Sequence, residues 1–83
     1  MIKLIKFNGD WLITKIEEIS GVEFGDPDCI LKSPYQIEGT CFGSYPAYSN
    51  DREIIVRSSE ITLIAEPKPN LLKTYLELIE QET

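Results

Sequence analysis

Histidine is absent from this chain of 83 residues. Without imidazole, the side chain that most often serves as general base and metal ligand is missing. Cysteine occurs only at Cys29 and Cys41, which allows one bridge at most. No paired Cys motif is present, so the sequence offers no structural zinc site and no metal or cofactor is expected. Long apolar runs are also lacking. None approaches the ~20 residues of a membrane span, and Met1-Ile2-Lys3-Leu4 has no signal-peptide core. The expectation is a cytoplasmic protein with reduced thiols. Basic charge is scarce, with 8 basic against 14 acidic side chains and a net charge of −6. Such a surface repels nucleic acid at long range, which leaves only a local basic site as a route to RNA.

Catalysis finds little support in what remains. Glu17 and Glu18 are adjacent on an expected strand and so point to opposite faces. Asp26 and Asp28 flank a proline in a turn, where acids form turns. Neither cysteine has a base beside it, and both read as small buried apolar residues. The chain is therefore not expected to be an enzyme. Its length makes one domain, residues 1–83, which buries roughly 60–65% of the surface its unfolded chain exposes. A core that small needs support. With disulfide and metal set aside, oligomerisation is the expected source.

Apolar and turn residues order the chain. Met1–Phe7 places Ile2 and Leu4 on one face and Ile5 and Phe7 on the other. Asn8-Gly9-Asp10 is a strong hairpin signal, because Asn-Gly tolerates positive φ. Trp11–Ile19 returns as a strand, with Trp11 and Ile13 opposite Leu12 and Ile16. Leu12, Ile16 and Ile19 also have helical spacing, but the β-branched residues and the preceding turn favour strand. Val22-Glu23-Phe24 reads as a short strand and Gly25–Asp28 as a turn. Cys29–Ile37 is extended, with Leu31, Tyr35 and Ile37 expected on one face and Pro34 marking an edge or a bulge. Gly39–Asp51 reads as irregular, with Phe42, Tyr45 and Tyr48 as an aromatic loop that either pins itself to the fold or meets a partner.

Glu53–Arg57 and Glu60–Ala65 are the last two strands. Asn70 is a suitable N-cap for a helix to about Glu82. Leu71, Tyr75, Leu78 and Leu72, Leu76, Ile79 form one broad apolar face on it. Its charges oppose the macrodipole, with Lys73 near the start and Glu77, Glu80 and Glu82 toward the end. Three strands carry apolar residues on both faces, so both faces should be covered.

The stretch Ile54-Ile55-Val56-Arg57-Ser58-Ser59-Glu60-Ile61-Thr62-Leu63-Ile64-Ala65-Glu66-Pro67 resembles the second motif of Sm-like proteins, a strand ending in Ile/Val-Arg-Gly, a tight turn and a closing strand before proline. More narrowly, the chain resembles the small Sm-like proteins of tailed phages that infect marine cyanobacteria. The residues that carry this are Met1-Ile2-Lys3-Leu4, Asn8-Gly9-Asp10, Lys32-Ser33-Pro34, Tyr45-Pro46-Ala47-Tyr48-Ser49-Asn50-Asp51, Glu66-Pro67-Lys68-Pro69, Leu72 and Tyr75.

The resemblance implies a mainly β fold, a small five-stranded, strongly bent antiparallel barrel within residues 1–66, followed here by a C-terminal α-helix over about 70–82. It implies a homo-oligomeric ring with Ile54, Ile55, Val56, Ile61, Leu63 and Ile64 at the subunit interface. It also implies a single-stranded RNA site at the pore turn, Arg57, Ser58 and Ser59, and, for a phage protein, the host cytoplasm. The sequence departs from the family in having Ser58 for the motif's glycine, in lacking a clear Asp-x-x-Asn pair, and in placing the helix after the barrel. The rival expectation is an oligomeric adaptor that holds a protein partner through the helix and Phe42, Tyr45 and Tyr48, without nucleic acid.

Overall fold

Asn8 and Gly9 adopt φ of 50° and 85°, the positive values that a two-residue hairpin turn needs to match strand twist. They join β1 (Ile2–Phe7) to β2 (Asp10–Glu18), with Phe7 opposite Asp10. The structure, a computed structural model, describes residues 2–39, 41–46 and 49–81. Tyr48 and the expected last helical residue, Glu82, lie outside the described residues.

Four further strands follow: β3 (Cys29–Glu38), β4 (Cys41–Ser44), β5 (Glu53–Val56) and β6 (Ile61–Ala65). All pairings are antiparallel, in the order β4-β3-β2-β1-β6. β5 joins the same edge of β3 as β4, pairing with its first half while β4 pairs with its second. The protein is mainly β, a strongly bent antiparallel sheet with one C-terminal helix. Among the described residues β5 and β6 do not pair, so the sheet curls without closing.

Two expectations about strands are corrected. Val22–Phe24 is not a strand but part of a loop closed by the Ile19 N–H donating to the Asp28 carbonyl at 2.8 Å. Conversely, the segment read as irregular contains β4. This strand is short and carries Gly43, so its pattern is weak, and only its register against Tyr35–Glu38 defines it.

The largest departure lies in β3. Lys32 stands opposite Lys15 and Tyr35 opposite Ile13, so Ser33 and Pro34 together face the single residue Thr14. This is a β-bulge, with Ser33 at φ 48°. An extra residue reverses every side chain beyond it. Leu31, Tyr35 and Ile37 were expected on one face. Instead Leu31 joins Ile5, Phe7, Leu12, Cys29 and Val56 inside the bend, while Tyr35 and Ile37 turn outward to the helix.

Two apolar layers result. Outside the bend, Ile13 and Tyr35 pack with Tyr75, Leu78 and Ile79 of α1 (Pro69–Gln81). β2 is thus covered on both sides, with Leu12 in one layer and Ile13 in the other, but Ile55 of β5 and Leu63 and Ile64 of β6 stay exposed. The helix begins two residues earlier than an Asn70 cap implies. The Leu72 N–H donates to the Lys68 carbonyl at 3.0 Å, so Pro69 occupies the first helical position, where its missing N–H costs nothing. Asn70 lies inside the helix and is not its cap.

Tyr75 is fully buried, edge-on to Tyr35 with ring centroids 5.9 Å apart. Its hydroxyl lies 3.0 Å from the Ser33 carbonyl and 3.3 Å from that of Lys32, and donates between them. The fully buried Thr14 hydroxyl also donates to the Lys32 carbonyl, at 2.9 Å. The carbonyls freed by the bulge are therefore satisfied from two sides. Tyr75→Phe is expected to lower stability by about 1–2 kcal/mol through this lost donor, and Tyr75→Ala by about 3–5 kcal/mol. Urea unfolding followed by circular dichroism checks both. Equal stability of Tyr75→Phe and wild type would show that the hydroxyl does not support the bulge.

Candidate functional site

β5 and β6 are joined by a single 3-10 turn, Ser58–Glu60, preceded by Arg57 in extended conformation. A link so short brings the three residues expected at the pore turn together at one end of the molecule, all exposed. The backbone N–H and hydroxyl of Ser58 both donate to the carboxylate of Asp28, each at 2.7 Å. Asp28 is itself placed by its own N–H donating to the Val56 carbonyl at 3.1 Å. The turn is thus fastened to the start of β3 by an acid 30 positions away.

Those bonds hold the Asp28 carboxyl below the usual carboxylate range, the Ser58 backbone N–H contributing most and its hydroxyl next. Beside it, burial pushes the Cys29 thiol up, helped by the charge of Asp28. Cys29 is buried, as expected, but Cys41 is exposed on β4, contrary to the expectation for both. Among the described residues no group of His, Cys, Asp and Glu is placed to hold a metal ion.

An open cleft of about 380 Å³ lies between the turn and the loop before β3. Val22, Phe24 and Gly25 line it from the loop and Arg57, Ser58 and Ser59 from the turn, together with the acids Glu23, Asp26 and Asp28. Arg57 makes no ion pair among the described residues. It is the cleft's one basic side chain against three carboxylates, and the donors of Ser58 are already engaged. Phe24, fully exposed on a turn closed by the Asp26 N–H donating to the Glu23 carbonyl, was missed in the sequence because its stretch read as a strand.

The six candidate interface residues divide into two groups. Val56 is buried in the molecule's own core, and Ile54 and Ile61 pack half-buried against it. Ile55, Leu63 and Ile64 are exposed by 62%, 43% and 59%, and these three are the ones left to meet a neighbour. The candidate partner-contact aromatics do not form one platform. Phe42 packs with the helix-side layer, while Tyr45 joins the inner layer, edge-on to Phe7 at 6.5 Å. Both pin the segment to the fold.

The geometry defines a class: a small bent β-sheet with a helix on its convex side and two unpaired strand edges meeting at one turn. Within that class, the chain belongs to a family of unknown function (DUF6561), whose model matches residues 1–80. A comparison with curated proteins finds no match. Among the described residues no helix is long and apolar enough to cross a membrane.

The Asp28 bonds give a pH dependence with a definite sign. A carboxyl whose folded pKa lies below its unfolded value of about 3.9 stabilises the fold fully above that value. The contribution is lost as pH falls through the folded pKa. The protection of the Ser58 amide, its exchange rate relative to that of an unstructured amide at the same pH, should therefore fall in wild type below about pH 4. Asp28→Asn should show faster exchange already at neutral pH and lose the acid-dependent step. An unchanged step in the variant would place its origin in another carboxylate.

Proposed function

We propose that this protein is a subunit of a homo-oligomeric Sm-like ring, built by pairing β5 of one copy with β6 of the next. The observation that carries this reading is the two sheet edges on either side of one turn. Among the described residues β5 is bonded only to β3 and β6 only to β1, as β4 is to β3, so β5 and β6 each present a row of unpaired backbone groups. Exposed apolar edges of this kind invite another strand.

The two edges are different surfaces, so their contact is head-to-tail, which closes into a ring when the rotation allows. Pairing them would continue the sheet from one copy into the next. It would cover Ile55 on one side of the contact and Leu63 and Ile64 on the other. The total accessible surface agrees in direction. It is 5674 Å², against roughly 5,000 Å² for a compact chain of this mass.

A ring places the Arg57-Ser58-Ser59 turns around its centre. In this reading Arg57 is the group left to contact single-stranded RNA, through bidentate bonds to phosphate or stacking on a base. A second reading is an adaptor ring without nucleic acid. It is favoured by Asp28 occupying both donors of Ser58 and by Glu23 and Asp26 lining the cleft, which repel phosphate. A cytoplasmic location, inside the host cell for a phage protein, fits either reading.

Size-exclusion chromatography with light scattering should give a single mass several times 9.5 kDa. Ile55→Glu and Ile64→Glu should each lower it, because a buried unpaired carboxylate is costly. A wild-type monomer at high micromolar concentration rejects the ring. Arg57→Ala should leave the mass unchanged. Loss of labelled oligouridine binding in that variant supports the RNA reading. A wild-type assembly that ignores the probe at low salt, and purifies with a protein-like ratio of absorbance at 260 and 280 nm, supports the adaptor.

A further inference from the structure

The helix carries an arrangement of charge that its own stability does not explain. Lys73 stands in the second turn and Glu77 past the middle, while Glu80 lies in the last turn, which has no basic residue. Glu80 is on the wrong side of the macrodipole. Lys73 and Glu77 are four residues apart in the less favourable order for a pair within one helix. Among the described residues no ion pair joins them. Beside these charges runs an open groove of about 300 Å³, lined by Pro69, Leu72, Lys73, Leu76, Glu77 and Glu80. Leu76 is 42% exposed there, on the side of the helix away from Tyr75.

We propose that this outer face of the helix pairs, antiparallel and about a two-fold axis, with the same face of a second copy. Four residues along a helix advance the direction of a side chain by only about 40°. Lys73 and Glu77 therefore lie on the same flank of the Leu72–Leu76 stripe. In an antiparallel pair, like flanks face each other. With the axis level with residue 75, Lys73 of each copy is level with Glu77 of the other, and the contact forms twice by symmetry. Leu72 and Leu76 of both copies fall in the layer between.

The same geometry keeps like charges apart. The two Glu80 side chains are separated by ~15 Å along the axis at ~1.5 Å rise per residue. The two helix dipoles also oppose, so the charge order that disfavours a lone helix suits this pair. A parallel arrangement would set Lys73 against the opposite flank, which is the one buried on the sheet.

The contact is small. A stable two-protein interface buries about 800 Å² on each partner, more than one side of a 13-residue helix supplies. A single pair is therefore weak. Where several subunits share one ring, their helices act together, and avidity makes the contact strong. The pairing itself does not depend on the ring, so the two ideas can fail separately.

The test uses the edge-blocked variant Ile55→Glu/Ile64→Glu, which cannot form the ring. Sedimentation equilibrium should show a monomer–dimer equilibrium between 9.5 kDa and twice that mass. Lys73→Glu and Glu77→Lys should each weaken dimerisation about tenfold, because each replaces two opposite-charge pairs by two like-charge pairs. The double variant Lys73→Glu/Glu77→Lys exchanges the charges and should restore it to within about twofold. A strictly monomeric edge-blocked protein, or a dimer indifferent to the single reversals, overturns the proposal. If the edge-blocked variant fails to fold by circular dichroism, the same reversals are made in wild type. There the assembly mass should fall by half in each single variant and recover in the double, and an unchanged mass in all three overturns the proposal.

Discussion

The bulge at Ser33-Pro34 is the constraint on which the rest of the molecule depends. It sits where the far edge of β3 passes from β5 to β4. The Ser33 N–H donates to the Arg52 carbonyl at 2.6 Å, just before β5. The Pro34 carbonyl accepts from the Tyr45 N–H, just after β4, at 3.3 Å. One irregularity thus permits a long central strand to serve two partners in tandem. By reversing the faces beyond it, the bulge also sends Leu31 into one apolar layer and Tyr35 into the other. A regular β3 would crowd all its large side chains into the bend and leave the helix without a floor.

The same economy of strands produces the open edges. β6 reaches round to β1, and β5 stays with β3, so the sheet bends toward closure but stops between them. The 3-10 turn carries the chain across that gap from β5 to β6, and among the described residues the two strands do not pair with each other. Asp28 then ties that turn back to β3 through Ser58. Edge geometry and turn geometry are therefore set by one small region, Asp28–Cys29 and Val56–Ser58. A change there would alter both the proposed assembly contact and the exposure of Arg57.

Much of this was legible in the residues themselves. The Asn8-Gly9 turn, the apolar doubling on β1 and β2, and the packing of Tyr75, Leu78 and Ile79 each rest on local chemistry that periodicity reports directly, although Leu76 of the same expected helix face is 42% exposed. What was not legible depends on partners distant in sequence. Pro34 signals a bulge, but the pattern does not say that Tyr35 and Ile37 change face, because reversal is a property of the pairing with Thr14. β4 has too few residues to declare itself without β3. Asp28 reads as a turn former, and its role as an anchor appears only once Ser58 is brought beside it. Phe24 looked like an alternating strand residue because nothing local shows that its stretch lacks a neighbour.

Tyr75 has a consequence of a different kind, in time. The hydroxyl that completes the bulge comes from 42 residues further along the chain, in a helix that follows all six strands. The first two strands can pair as a hairpin as soon as they emerge, since their turn is local. Thr14 of β2 can already donate to the Lys32 carbonyl, but the Tyr75 donor to the Ser33 carbonyl arrives only when α1 docks. Such long-range contacts make folding slower than helix or hairpin formation alone. The bulge in the middle of the sheet is thus completed only when α1 docks, after every strand of the sheet has been made.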